Sequence, residues 1–325
     1  MTNPVARTTR VGAVDCGTNS IRLLIAETGP DGALRDVHRE MRIVRLGQGV
    51  DATGAFTPEA IERTRAALHD YAALMREEGV GAVRMVATSA TRDAANRDDF
   101  FAMTRAELGV VVPGAVAEVI SGDTEARLSF VGAVGELPAD AGPFLVTDLG
   151  GGSTELVLGG APNRGGGVTA AHSADIGCVR VTERCLGGDP PTAEQVAAAR
   201  EFAAERLAEA FARVPVEGAR TWVGVAGTMT TLSAVNQDLA TYDPARIHLS
   251  RLSLDDVHSV CTRLITMTHA ERAALGSMHP GRVDVIGGGA IITALLADEL
   301  HKRAGITELT VSEHDILDGI ALSLL

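Results

Sequence analysis

Cysteine is sparse in this chain and badly placed for a staple: Cys16, Cys178, Cys185 and Cys261 stand far apart in 325 residues, with no Cys-x-x-Cys. There is no His-rich partner spacing either, which argues against a disulfide framework or a zinc site, and the four read as reduced thiols. No run reaches the roughly 18 consecutive apolar residues that a membrane span requires. Met1 to Arg10 is short and polar, without an apolar stretch of signal-peptide length. A soluble, cytoplasmic chain is expected. Positive charge is also scarce, with 29 Lys and Arg against 42 Asp and Glu, a formal net charge of −13. That excludes the extended basic surface on which nucleic-acid or anionic-membrane binding relies. Proline numbers only 12 while hydrophobic residues make up 46%, which excludes disorder and allows two α/β domains with separate cores.

What the chain does have is one short pattern used twice. Asp15-Cys16-Gly17-Thr18-Asn19-Ser20 and Asp148-Leu149-Gly150-Gly151-Gly152-Ser153 both read Asp-x-Gly-x-x-Ser between strand-like runs. The offset, 148 minus 15, is 133 residues, the size of a small domain and too long for a solenoid repeat. A strand ending in Asp, a turn of Gly and small polar residues, and a returning strand set a carboxylate beside several backbone N–H groups. Those are the parts of a metal-assisted phosphate cradle, and two cradles facing each other would clamp a phosphate chain. A polyanionic ligand conflicts with a net charge of −13 unless cations gather locally, as bound Mg²⁺ or as arginine, whose planar fork suits phosphate oxygens. Arginine is the cation this chain prefers; Lys302 is its single lysine.

Around each copy the pattern of elements repeats. Runs from Val11 to Val14, Ile21 to Glu27 and Met41 to Leu46 predict a three-strand meander with a turn at residues 29–32. Thr57-Pro58-Glu59 predicts an N-cap opening a helix to about Glu78. Strands from Val83 to Thr88 and Ala117 to Ile120 follow, with a helix from Ala94 to Leu108 between them. The second half offers strands from Phe144 to Asp148 and Glu155 to Leu158, a hairpin-like turn at 163–167 and a long helix from Thr192 to Arg213. Strands from Thr221 to Val225, Val283 to Ile286 and Glu308 to Val311 complete it, with helices from Ala290 to Ala304 and from Ile316 onward. The expectation is two duplicated α/β domains with mixed sheets, 1–130 and 131–325, the final helix (about 314–325) returning to the first.

The candidate chemistry sits at strand ends. Asp148 is placed to hold Mg²⁺, with Glu155 two residues past its turn, while Gly150, Gly151, Gly152 and Ser153 let the backbone approach an oxyanion; the plain alternative is a glycine-rich hairpin whose Asp caps its own turn. In the first copy Asp15 and Gly17 are joined by the side chains of Thr18, Asn19 and Ser20, with Arg22 nearby; the plain alternative here is that the polar residues simply satisfy the turn. Thr88 to Arg92 joins a strand to a helix and suits an anion, or merely caps. Glu125, just inside a helix opened by Ser121, reads either as a capping-box residue or as a general base for water. The turns Ala226-Gly227-Thr228 and Gly287-Gly288-Gly289 follow strands and permit close approach of a ligand, or are tight strand-to-helix turns.

Eight motifs together resemble one family. They are DCGTNSIRLL (Asp15 to Leu24), ATSATRDAAN (Ala87 to Asn96), VISGDTEARL (Val119 to Leu128), DLGGGSTEL (Asp148 to Leu156), GCVRVTE (Gly177 to Glu183), AGT (Ala226 to Thr228), HPGRVDVIGGGA (His279 to Ala290) and SEHDILDGIA (Ser312 to Ala321). In that order they resemble the exopolyphosphatase / guanosine pentaphosphate phosphatase family, within the sugar kinase, heat-shock protein and actin superfamily. The resemblance implies duplicated actin-like, ribonuclease H-like domains with an interdomain cleft, and release of terminal orthophosphate from inorganic polyphosphate. It implies Glu125 as catalytic base, with Asp148, Glu155 and Asp15 as metal ligands. Asn19, Arg92, Gly150 to Ser153, Cys178 and Arg282 match phosphate-contacting positions, and Gly17, Thr18, Ser20 and Arg22 accompany them. Mg²⁺ is the implied ion, with Mn²⁺ as a substitute and K⁺ as a stimulating monovalent cation, and a homodimer the implied assembly. The chain resembles a short form without the further helical domains of longer members, so short polyphosphate chains are the expected preference. Alternatives are a pppGpp 5′-phosphatase, a superfamily kinase or ATPase, and a nonenzymatic regulator that binds pppGpp or ppGpp.

Overall fold

The structure, a computed structural model, describes residues 10–29, 33–162 and 165–325. The polar N-terminus, most of the turn expected at 29–32 and part of that at 163–167 lie outside the described residues. The chain divides into two compact units, the first running to Ile120 and including Leu317–Leu325, the second being Ser121–Ile316.

In the first unit, β1 (Arg10–Cys16), β2 (Ser20–Thr28), β3 (Leu34–Ile43), β4 (Ala82–Ala87) and β5 (Glu118–Val119) form a sheet in the order β3-β2-β1-β4-β5. The first three are an antiparallel meander, and β4 and β5 run parallel to β1. Central β1 is buried on both faces and reads as a continuous apolar run, as a strand covered on two sides must. Edge strand β3 is half-exposed and carries Arg35, Asp36, His38, Arg39 and Glu40. Its apolar signal is confined to its end, which is why the sequence predicts only 41–46.

The second unit repeats the plan with β6 (Phe144–Leu149), β7 (Thr154–Gly159), β8 (Val168–Ala174), β9 (Thr221–Val225), β10 (Ser250–Ser253) and β11 (Glu308–Val311). Their order, β8-β7-β6-β9-β11-β10, matches the first sheet strand for strand, with β10 added antiparallel at the edge. One face packs Leu145, Trp222, Ile291 and Leu309, the other Phe130, Phe144 and Val157. Trp222 is fully buried and its indole N–H donates to Thr147 Oγ1 at 2.8 Å, so truncating it to alanine would cost about 3–5 kcal/mol.

Helices begin where their caps predict. Thr57 accepts from the Ala60 amide ahead of Pro58–Glu77, and Thr192 with Gln195 completes a capping box ahead of Ala193–Arg213. Three expectations change. The division falls after Ile120, inside the expected 1–130 domain, because helix Gly122–Val134 packs on β6, β7 and β8. The helix expected from Ala94 to Leu108 starts at Arg97, and a separate short helix, Ser89–Asp93, precedes it. Between them Ala94 is extended and the Asn96 side chain both accepts from the Phe56 amide (2.8 Å) and donates to its carbonyl (3.0 Å), which pins the break. No strand forms from Val283 to Ile286: a single turn, Pro280–Arg282, leads into helix Ile286–Ala304.

The last residues, Leu317–Leu325, belong to the first unit. Arg39 on β3 donates to both oxygens of buried Asp318, at 3.2 and 2.5 Å. No described helix is long and apolar enough to cross a membrane.

Candidate functional site

The two Asp-x-Gly-x-x-Ser turns share one backbone geometry. The Gly17 amide donates to the Ser20 carbonyl at 2.9 Å and the Gly150 amide to the Ser153 carbonyl at 3.0 Å. In each hairpin the aspartate is the second-to-last residue of its strand and faces the residue seven positions on: Asp15 pairs with Arg22, Asp148 with Glu155. The side chains then diverge. Arg22 donates to Asp15 Oδ2 through Nε (2.9 Å) and Nη2 (2.7 Å), closing an ion pair in which Asp15 is nearly buried. Across from Asp148 stands a second carboxylate instead of a guanidinium.

A third carboxylate joins them in the second unit. Glu125 lies in the first turns of helix Gly122–Val134 and is 7% exposed, beside Asp148 at 6% and Glu155 at 1%. The capping-box position belongs to Thr124: Ser121 Oγ accepts from the Thr124 amide, and the Glu125 amide bonds the Ser121 carbonyl at 2.9 Å. Glu125 therefore sits one residue beyond the place from which a glutamate bends back to its own cap. Burial pushes the Glu155 carboxyl well above the usual carboxylate range, and the negative charges of Glu125 and Asp148 raise it further; the hydroxyls of Ser173 and Ser153 pull it partly back. Ser129 donates to Asp148 Oδ2 and Ser173 to Glu155 Oε1, each at 2.6 Å. Sequence reasoning missed both serines. Ser129 follows Glu125 by one helical turn, a usable signal, whereas nothing in the sequence marks Ser173.

The glycine turn faces two ways. Its carbonyls receive the start of helix Cys178–Cys185: the Cys178 amide bonds Gly150 O (3.0 Å), the Val179 and Arg180 amides bond Gly151 O (2.9 and 3.1 Å), and Arg180 Nε bonds Gly152 O (2.9 Å). A Cβ at Gly177 would lie 2.3 Å from the Gly151 carbonyl oxygen. The Gly151 and Gly152 amides have no intramolecular acceptor among the described residues. Cys178 is buried beneath the turn, its thiol pushed up to about 11 chiefly by burial, so it acts here as a packed neutral group.

Other candidates have structural employment. Arg282 Nη1 donates to the Gly227 carbonyl (2.8 Å) and to Thr231 Oγ1 (3.1 Å), and a Cβ at Gly227 would meet the guanidinium carbon at 2.4 Å. Ala226, at φ +70, supplies the sharp strand-to-helix corner. Gly287, Gly288 and Gly289 are not a loop but the first turn of helix Ile286–Ala304. A Cβ at Gly288 would lie 2.7 Å from the Cys178 carbonyl oxygen and one at Gly289 2.6 Å from Thr228 Cγ2, so these glycines serve helix packing. In the first unit, Thr18 and Asn19 accept backbone amides from 44–47 through their carbonyls, and Arg92 Nη1 donates to the Ile120 carbonyl at 3.1 Å.

Asp148 and Glu155 fit a hard dication: they offer oxygen only, are buried with Glu125, and carry a repulsion that a cation relieves. Among the described residues, the one trio of His, Cys, Asp or Glu whose ligand atoms lie within 4.8 Å of one another is elsewhere, at Glu136, His248 and His314. There His248 Nδ1 accepts from the Glu313 amide (3.2 Å), so its proton is on Nε2 and points to Glu136 (3.1 Å). That is a hydrogen-bonded cluster, with the ring polarity opposite to that of a metal-bound histidine.

The family model of the Ppx/GppA phosphatase family matches residues 24–324. Exopolyphosphatase 2 of Mycobacterium tuberculosis is 64% identical over 319 residues, covering 97% of this chain and 98% of that protein. Among solved structures, an exopolyphosphatase-like protein superposes with a TM-score of 0.90 at 42% identity, covering 97% of this chain and 98% of the other. The Aquifex aeolicus member of the Ppx/GppA family superposes with a TM-score of 0.78 at 32% identity, covering 97% of both. The two repeated sheets are thus those of the actin-like two-domain fold.

Proposed function

The chain belongs to the Ppx/GppA phosphatase family, and on that premise we propose that it is an exopolyphosphatase, releasing terminal orthophosphate from inorganic polyphosphate. The observation that carries the reading is the trio of buried carboxylates, Glu125, Asp148 and Glu155, beside a glycine turn with amides to spare. A phosphoanhydride hydrolase needs few groups beyond these: positioned donors for phosphate oxygens, a base for water, and countercharge.

Asp148 and Glu155 would hold Mg²⁺, which when bound supplies charge neutralisation at the phosphate oxygens. The Gly151 and Gly152 amides donate to nonbridging oxygens of the terminal phosphoryl group. Glu125 accepts a proton from water as the water oxygen bonds to the terminal phosphorus; the bond from that phosphorus to the bridging oxygen breaks, orthophosphate leaves, and the chain is shorter by one unit. Glu125 is buried beside the two carboxylates proposed to hold the ion.

Orthophosphate release from polyphosphate, pppGpp and ATP, measured side by side with and without Mg²⁺, tests this. Fastest release from polyphosphate, dependent on Mg²⁺, is the expected result. Fastest release from pppGpp would make the chain a pentaphosphate 5′-phosphatase acting through the same residues, and transfer to an acceptor without free orthophosphate would make it a kinase.

A further inference from the structure

We propose that Ser129 is a positioning residue for this reaction, holding the Asp148 carboxylate in place without neutralising it. The inference rests on the exopolyphosphatase reading for the reaction it serves, but on geometry for the residue. Ser129 is fully buried, and its hydroxyl donates to Asp148 Oδ2 at 2.6 Å, a short bond of the charge-assisted kind. A serine in a helix ordinarily returns its hydroxyl to the carbonyl four residues back; that carbonyl here is Glu125's, and Ser129 instead spends its one proton on the neighbouring strand. Because Ser129 follows Glu125 by four residues, one turn of helix Gly122–Val134 presents the base and orients the metal-holding carboxylate together.

The start of that helix is itself fixed. Gly122 lies so close to β8 that a Cβ there would come within 2.4 Å of Ser173 Cβ, and Ser173 in turn donates to Glu155 Oε1 at 2.6 Å. The other copy of the turn shows what a charged donor would do in this place. Arg22 grips Asp15 with two N–H groups and brings a full positive charge. A hydroxyl orients a carboxylate without bringing a positive charge of its own.

The test is Ser129→Ala, compared with wild type and with Ser129→Thr, which restores a hydroxyl. Titration calorimetry with Mg²⁺ alone, without substrate, should show affinity lowered by about tenfold or more in the alanine variant, within the range that loss of an outer-shell partner costs. Its kcat on polyphosphate should fall while KM stays within about twofold, and threonine should recover both losses. Thermal melting establishes that the variant is folded; if Ser129→Ala does not fold, Ser129→Cys, a near-isostere with a weak donor, is judged by the same readouts. Mg²⁺ affinity and kcat both within about twofold of wild type in the folded variant overturn the proposal. Should the wild-type chain release no orthophosphate from polyphosphate, the functional reading fails, and the substrate-free titration still decides the role of Ser129.

Discussion

The turn at Asp15 and the turn at Asp148 are the same hairpin with opposite electrostatics. Each closes with a Gly-to-Ser backbone bond of about the same length, and each sets its aspartate across from the residue seven places later. In the first, that residue is Arg22 and the carboxylate is already paired. In the second it is Glu155, and orientation has passed to the hydroxyls of Ser129 and Ser173. One substitution at an equivalent position, Arg for Glu, separates a turn that is electrically closed from one that calls for a cation. Duplication supplies the scaffold; the side chain across the hairpin decides which copy does chemistry.

The contrast can be broken by mutation, and the largest effect is expected at Glu125. Glu125→Gln should lower orthophosphate release by a factor of about 10² to 10⁴, the usual contribution of a general base, while binding of a short polyphosphate, followed calorimetrically, is retained. Turnover near wild type would remove Glu125 from the mechanism. Next come the two aspartates as folding elements. Asp15→Asn leaves the Arg22 guanidinium without its carboxylate and should cost about 1–3 kcal/mol in urea unfolding, between the values for exposed and buried pairs. Asp148→Asn relieves like-charge repulsion and should leave the metal-free protein as stable as wild type or more so.

The smallest effect is a pH dependence. Glu155 has a folded-state pKa above its unfolded one, so the folded state binds the proton more tightly and stability from this group is present at low pH and lost as pH rises through the folded pKa. Glu155→Gln should therefore raise the melting temperature of the metal-free protein at pH 7 and above. The gain should vanish below about pH 3, more than a unit under the ordinary glutamate pKa of about 4.3, where the wild-type carboxyl is protonated in both states. A gain that persisted unchanged at low pH would mean that repulsion among the three carboxylates is not its source.

Much of this architecture was legible in the sequence because it is written locally. The Asp-x-Gly-x-x-Ser pattern, the caps at Thr57 and Ser121, and the apolar runs of β1 and β6 are signals carried by adjacent residues. Glu125 stood out for the same reason, although the choice between cap and base needed the helix start to be located to the residue. What escaped depends on partners distant in the chain. The glycines at 287–289 look like a turn until Cys178 and Thr228 are seen to press against them. The contacts of Arg282 with Gly227 and Thr231 are likewise invisible in the sequence. Ser129 and Ser173 are ordinary serines until the carboxylates they serve are folded against them. Edge strands β3 and β10, half-exposed, carry too little apolar periodicity to read.

The proposed function requires that the second turn, and not the first, hold the cation. Mg²⁺ titration calorimetry on the wild type, Asp148→Asn and Asp15→Asn, without substrate, addresses it most directly. Loss of Mg²⁺ binding in Asp148→Asn with affinity kept in Asp15→Asn is the predicted result; equal loss in both, or loss in Asp15→Asn alone, would contradict it.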